Sequence, residues 1–176
     1  MTRDARLAAF LDLFEKWNRR INLSAASTRD ELDEHLEDCL HVVPVIAGHS
    51  RVIDVGAGGG FPVVIAAICL PETHFVALEP IHKKHAFLRT AARELQLSNL
   101  EAFAQRVEDH PQRDYDVAMS RATFDLAEWF ETGRRLVHDG GLVIGFEAQP
   151  RADVPGERVR YDLRGKSRSL VVQRFT

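Results

Sequence analysis

The chain has 176 residues, 45% of them hydrophobic and 28% charged, with a net charge of −3. That length allows one domain with a sizeable core, and a mildly acidic balance gives no sign of a generally nucleic-acid-binding surface. The two cysteines, Cys39 and Cys69, form no C-x-x-C pair, so neither a metal site nor a disulfide framework is expected.

No leader opens the chain and no apolar run approaches about 18 residues, so a cytoplasmic location and no membrane contact are expected. The charge is uneven. Residues 151–176 carry seven Arg and Lys against three acids, a net of +4 on a body of −7. Such a tail points either to a phosphate-bearing partner or to a solvated edge hairpin.

Residues 3–17 place Leu7, Phe10, Leu11, Phe14 and Trp17 on one helical face, and that spacing favours core packing over base stacking for Phe14 and Trp17. A polar turn, "NRRINLSAAS", is expected next. "TRDE" (Thr28 to Glu31) has capping-box spacing and opens a second helix with the stripe Leu32, Leu36, Cys39, Leu40 and Val43, near whose end stands Pro44.

The rhythm then changes to alternating strands and helices. Strands are expected at 51–55, 74–79, near 100–104, at 115–120 and at 141–147. Helices are expected at 61–70, 81–95 and about 124–138, and a terminal pair of strands around Gly165. This alternation predicts an α/β fold with a doubly wound, mostly parallel sheet, N-terminal helices and a C-terminal antiparallel hairpin. Ligands then bind beyond the C-terminal ends of the strands. Residues 1–176 read as one domain, with 1–48 as a helical cap and 49–176 as the sheet core.

The stretch "RVIDVGAGGGFP" (51–62) carries the strongest chemical signal. A phosphate-binding P-loop needs Lys and then Ser or Thr after its last glycine, and here Phe61 and Pro62 follow. The dinucleotide spacing G-x-G-x-x-G, started at Gly56, reaches Gly58 and then Phe61, which cannot provide the close helix–strand packing of the third glycine.

The remaining reading is S-adenosylmethionine (SAM). Its amino-acid moiety needs close backbone approach at Gly56, Ala57, Gly58, Gly60 and Phe61. Its ammonium can face Asp54, directly or through water, and Glu79 at the end of the next strand can accept both ribose hydroxyls. The alternative, a glycine turn that binds nothing, would spend backbone entropy without return.

Six motifs in order extend this reading. They are "WNRRINLSA" (17–25), "HLEDCL" (35–40), "GAGGGFP" (56–62), "KKHAFL" (83–88), "RVE" (106–108) and "SRA" (120–122). In them the chain resembles the small-subunit (16S) ribosomal RNA guanine 7-methyltransferases, the GidB/RsmG type.

The resemblance implies a Rossmann-like SAM-dependent methyltransferase and a ribosomal RNA or small-subunit partner. It also implies a pocket role for His35, Asp38 and Arg121 as catalytic candidates, with Arg121 touching cofactor as well. Arg106, Val107 and Glu108 fall at the adenine side, and Lys83, Lys84 and Arg168 become RNA contacts. The structural alternatives are a buried His35–Asp38 pair and an Arg106–Glu108 ion pair.

Methyl transfer to an unprotonated ring nitrogen needs no general base, so alignment and water exclusion suffice. Other readings are a methyltransferase for a small molecule or another nucleic acid, and a SAM-binding protein without catalysis.

Three positions depart from the family pattern. Val63 stands where Gly is usual, Glu147-Ala148 replaces a Lys-Gly, and "AQPRADVPG" (148–156) is too short and proline-broken for a helix. Glu147 is expected to point into the substrate crevice and repel RNA.

Overall fold

The computed structural model describes residues 1–121 and 124–176. Six α-helices and seven strands occur among them: α1 Arg3–Ile21, α2 Arg29–Leu40, α3 Val43–Ile46, β1 Arg51–Val55, α4 Val63–Cys69, β2 His74–Leu78, α5 His82–Glu94, β3 Leu100–Phe103, β4 Tyr115–Ser120, α6 Leu126–Arg134, β5 Val137–Glu147, β6 Glu157–Leu163 and β7 Lys166–Arg174. They form one sheet of order β3-β2-β1-β4-β5-β7-β6. The first five strands run parallel, and β7 and β6 close the edge antiparallel. The fold is the doubly wound α/β sheet with a terminal hairpin that the alternating pattern predicts.

The two faces of β1 sort its side chains by the period of two. Val52 joins a core built with α1, α2, α4 and α5, whereas Ile53 and Val55 face α6. Helix α1 docks through aromatics. Phe10 and Phe14 are fully buried, with ring centroids 5.2 Å and 5.1 Å from Phe61. Trp17 packs edge-on against Phe87 at 5.6 Å, so both Phe14 and Trp17 serve packing.

Several boundaries differ from those expected. Helix α1 continues to Ile21 instead of stopping near Trp17, because Asn18 organises the following turn from within the helix. Its side chain donates to the Ala26 carbonyl at 2.8 Å and accepts from the Ser24 amide at 2.9 Å. The stripe expected in one second helix is split: α2 ends at Leu40, and Pro44 sits in the first turn of the separate α3, where a missing N–H costs nothing. Helix α6 spans only Leu126–Arg134, starting at an Asp125 cap whose side chain accepts from the Ala127 amide. Strand β5 starts earlier than expected, at Val137, because the "HDGG" segment pairs with the chain end through Gly140 and Gly141 to Phe175.

The capping box at Thr28 and Glu31 is present with both reciprocal bonds. The charged hairpin is largely neutralised within the molecule. Arg164 pairs with Asp30 and Glu37, and Lys166 with Glu34, all on α2. Two of the seven tail cations, Arg164 and Lys166, thus bind the acidic helix α2, while Arg151 and Arg158 pair with Asp125, Asp153 and Glu147.

Gly59 is required by packing: a Cβ there would meet the Phe14 ring at 2.3 Å. Gly59→Ala is expected to destabilise the fold by about 1–3 kcal/mol, read as a lower urea midpoint. A change within about 0.5 kcal/mol would show that the ring yields freely.

Candidate functional site

Strand β1 ends at Val55, and the chain turns through Gly56–Gly60 before α4. The amides of Gly56 and Ala57 donate to the Leu78 carbonyl at 2.9 Å and 3.0 Å, fastening the loop to the end of β2. Gly58 and Gly60 have φ of +54° and +90°, conformations that favour glycine.

Glu79, 4% exposed, organises the same loop. One carboxylate oxygen accepts from the Gly58 amide and the other from the Ile81 amide, each at 2.8 Å. A carboxylate has further acceptor capacity beyond one bond per oxygen, which leaves lone pairs for ligand hydroxyls.

Asp54 stands apart. It is 1% exposed, and neither carboxylate oxygen has a hydrogen-bond partner among the described residues. Burial pushes its pKa up to about 8; the Val63 amide at the start of α4 opposes this, the Glu79 charge adds to it and the Arg121 charge opposes it. A buried acid without a partner is costly and is a seat prepared for a cationic donor. The ammonium of SAM has that chemistry, so the residues present fit the ligand. Val63, the departure after Pro62, is fully buried in the core at the head of α4.

Two cavities flank this point. One of about 210 Å³ is lined by Val55, Gly56, Leu78, Pro80, Val107 and Phe124, with Gln105, Arg106 and Glu108. Its apolar walls suit a flat heterocycle. Val107 is buried, whereas Arg106 and Glu108 are exposed and form no ion pair with each other, so the structural alternative for them is not observed.

The second, about 500 Å³, is lined by His35, Asp38, Arg121, Phe146, Tyr161 and Arg168, among others. The structure thus brings His35, Asp38 and Arg121 together. The Arg121 guanidinium donates to Asp38 at 3.0 Å, and the Tyr161 hydroxyl donates to the other oxygen of Asp38 at 2.6 Å. Burial, then the Arg121 charge, holds the His35 imidazole below its ordinary range, so it is neutral at pH 7. His41 stacks on Tyr161 at 3.9 Å. At the end of β4, Ser120 donates to the Val55 carbonyl at 2.8 Å. Ala122, the last residue of "SRA", lies outside the described residues.

Lys83 is exposed and Lys84 half-buried at the start of α5, just beyond the end of β2. Neither makes a side-chain ion pair among the described residues. Arg168 is half-buried and donates to the Ala148 and Ser167 carbonyls.

Sequence reasoning missed Tyr161, Phe146, Gln105 and Phe124. The alternation Val159, Tyr161, Leu163 in β6 was the available signal for Tyr161.

Glu147 corrects an expectation. It does not project as a free charge into the crevice: it is 5% exposed and accepts from Ser169 Oγ at 2.6 Å, the Arg151 amide at 2.8 Å and Arg158 at 3.1 Å. Despite the cost of burial, the bonds from Arg158, Ser169 and Arg151 hold its carboxyl below the usual range. The charge is consumed internally, fastening the short 148–156 segment.

Among the described residues no group of three or more His, Cys, Asp or Glu is placed to hold a metal ion, and no helix is long and apolar enough to cross a membrane.

The fold recurs in solved proteins. A SAM-dependent methyltransferase from Aquifex aeolicus superimposes with a TM-score of 0.63 at 17% identity, covering 84% of this chain and 96% of that one. The O-methyltransferase TomG of Streptomyces achromogenes, solved with SAM, gives 0.65 at 15% identity over 95% and 90%.

Fold and site together define a Rossmann-like SAM-dependent methyltransferase. The family model for rRNA small subunit methyltransferase G matches residues 3–171, and the chain belongs to that family. Relatives named ribosomal RNA small subunit methyltransferase G include one from Laribacter hongkongensis, 42% identical over 77% of this chain and 66% of its own length. Another, from Neisseria gonorrhoeae, is 40% identical over 80% and 68%. The chain thus spans about two thirds of the length of the curated relatives it matches.

Two stability experiments follow from the buried acids. Glu147→Lys should cost about 3–5 kcal/mol, because it sets a second cation against Arg158 in a buried pair; unchanged denaturant stability would restore the view of Glu147 as a free crevice charge. For Asp54, the folded pKa of about 8 lies above the ordinary 3.8. Its contribution to stability is therefore fully present below pH 4 and declines as pH rises toward 8, where the unfolded chain ionises first. The stability difference between wild type and Asp54→Asn, followed by denaturation from pH 4 to pH 8, should shift progressively in favour of the variant. A pH-independent difference would place the ionisation elsewhere.

Proposed function

We propose that this chain methylates the 7-position nitrogen of a guanine in small-subunit ribosomal RNA, using SAM. The observation that carries the reading is the buried Asp54 carboxyl at the end of β1, without a side-chain partner among the described residues, beside a loop whose Gly58 amide is held by Glu79. Family membership supports the RNA class of substrate.

Asp54 holds the ammonium end of the ligand, and Glu79 accepts its ribose hydroxyls while keeping Gly58 and Ile81 in place. The apolar cavity beside Val107 receives the adenine ring. When bound, SAM would supply an electrophilic methyl carbon on a sulfonium: the lone pair of the acceptor nitrogen would form the new N–C bond as the C–S bond breaks, the sulfur leaving as the neutral thioether of S-adenosylhomocysteine. The residues of the larger cavity then orient the acceptor base. Asp38, Arg121 and Tyr161 form a fixed wall in which no side chain has to remove a proton, because the acceptor nitrogen carries none. His35 stays neutral and adds no competing charge where the product ring becomes cationic. Burial of this wall excludes water, and alignment provides the rate enhancement. Lys83, Lys84 and Arg168 hold RNA phosphates around the mouth.

Calorimetry tests the cofactor half. Asp54→Ala and Glu79→Ala each remove a charge-assisted hydrogen bond worth about 1.5–3 kcal/mol, so SAM affinity should fall tenfold or more. Unaltered affinity in both variants rules out the assigned site. Nucleoside mass spectrometry on undermethylated small subunits treated with enzyme and SAM tests the substrate half. Formation of 7-methylguanosine is expected; turnover on a small molecule alone would move the chain to the second reading.

A further inference from the structure

Beside the larger cavity lies a second cleft of about 350 Å³, between the 148–152 segment and strands β6 and β7. Four arginines line it: Arg151, Arg158, Arg160 and Arg168. Two are already neutralised. Arg151 pairs with Asp125 and Asp153, and Arg158 with Glu147 while also donating to the carbonyls of Arg151 and Gly156. The other two are not. Arg160, exposed on edge strand β6, makes no side-chain hydrogen bond or ion pair among the described residues. Arg168 meets only main-chain carbonyls, Ala148 at 3.0 Å and Ser167 at 3.4 Å. Glu147, the acid among the lining residues, is occupied by Arg158 and Ser169.

The cleft is therefore a concave surface with two uncompensated guanidinium charges. It is joined to the larger cavity, since Glu147, Ala148 and Arg168 line both. It lies at the C-terminal end of β5, the end of the parallel sheet at which the candidate site is built. A planar guanidinium presents a fork of donors that matches phosphate oxygens. A nucleotide whose base enters the larger cavity leaves its flanking phosphates at that cavity's rim, where Arg168 stands.

We propose that this cleft seats a backbone phosphate of the RNA strand next to the target nucleotide, with Arg160 and Arg168 as its donors. The proposal rests on the reading of the chain as an RNA methyltransferase. It makes Arg160, which belongs to none of the six sequence motifs, a determinant of RNA binding.

The test combines filter binding of labelled, undermethylated small-subunit ribosomal RNA across a salt series with steady-state methylation kinetics. The proteins are wild type, Arg160→Ala, Arg160→Lys and Arg113→Ala. Arg113 is an exposed arginine that precedes β4, at the opposite end of the parallel strands. Arg160→Ala should reduce the log–log salt slope by about 0.7–0.9 and raise the KM for RNA several-fold, with kcat and SAM affinity unchanged. Arg160→Lys should keep the wild-type slope, and so should Arg113→Ala. If wild type methylates the RNA and Arg160→Ala shows its slope and KM, the cleft assignment fails and the proposed function stands. If Arg113→Ala lowers the slope equally, the contribution is diffuse surface charge and the cleft assignment also fails. Polyglutamate binding that is lost in Arg160→Ala while RNA binding is kept would assign the cleft to an acidic protein segment instead. If wild type binds SAM but neither binds nor methylates the RNA, the proposed function fails and the cleft assignment with it.

Discussion

A carboxyl group buried without a side-chain partner, at the point where the strand order reverses, is the constraint on which the site depends. Strand β1 has β2 on one side and β4 on the other, so the connections leaving the ends of β1 and β4 diverge and open a crevice. Asp54 sits at that divergence with no side-chain partner among the described residues and only the Val63 amide of α4 acting on its carboxyl. Taking an acid out of water without compensation costs several kcal/mol unless it holds a proton or meets a cation. Glu79, one strand over, spends an oxygen each on two loop amides and so shapes the backbone. Of the two acids at adjacent strand ends, one builds the loop and the other waits for ligand charge.

The wall opposite this point is assembled from three distant parts of the chain. Asp38 of α2, Arg121 after β4 and Tyr161 of β6 meet in one hydrogen-bonded cluster. Their shielding separates them from the exposed pairs that tie the hairpin turn to α2. Exposed ion pairs contribute about 0–1 kcal/mol each, so the Arg164 and Lys166 pairs orient the hairpin more than they stabilise it. The Asp38 cluster lies deeper and fixes the helical cap relative to the sheet where the acceptor base would enter. On the far edge, Glu147 with Arg158 and Ser169 takes over the fastening of a segment too short for a helix. A change of charge at the site mouth thereby becomes a structural tie.

The strand–helix alternation was legible in the sequence because period-2 and period-3.6 apolar patterns are local. The capping box at Thr28 and the glycine loop after β1 were legible for the same reason: each is a requirement written within a few residues. The His35–Asp38 spacing announced a shared face, but the partners that give it meaning, Arg121 and Tyr161, come from 83 and 123 residues away along the chain. Glu147 was misread because a sequence shows a charge and not its neutraliser: Arg158 is 11 residues on, and Ser169 is its cross-strand partner in β7. The sequence left the basic tail open between a phosphate partner and an edge hairpin for the same reason, since the acids that pair with Arg164 and Lys166 lie far away on α2. The early end of the second helix, by contrast, was available from Pro44, which belongs in a first turn and not inside a helix.

The central claim, that Asp54 gives up a proton to receive a cationic ligand, is tested most directly by counting protons. SAM binding is titrated calorimetrically at pH 7 in two buffers of different protonation enthalpy, with wild type and Asp54→Asn. Because burial raises the Asp54 pKa to about 8, the unliganded carboxyl is mostly protonated at that pH. Wild type should release close to about one proton per SAM bound, and the variant none. Identical heats in the two buffers for wild type, or equal proton release by Asp54→Asn, would contradict the assignment of Asp54 as the ammonium's seat.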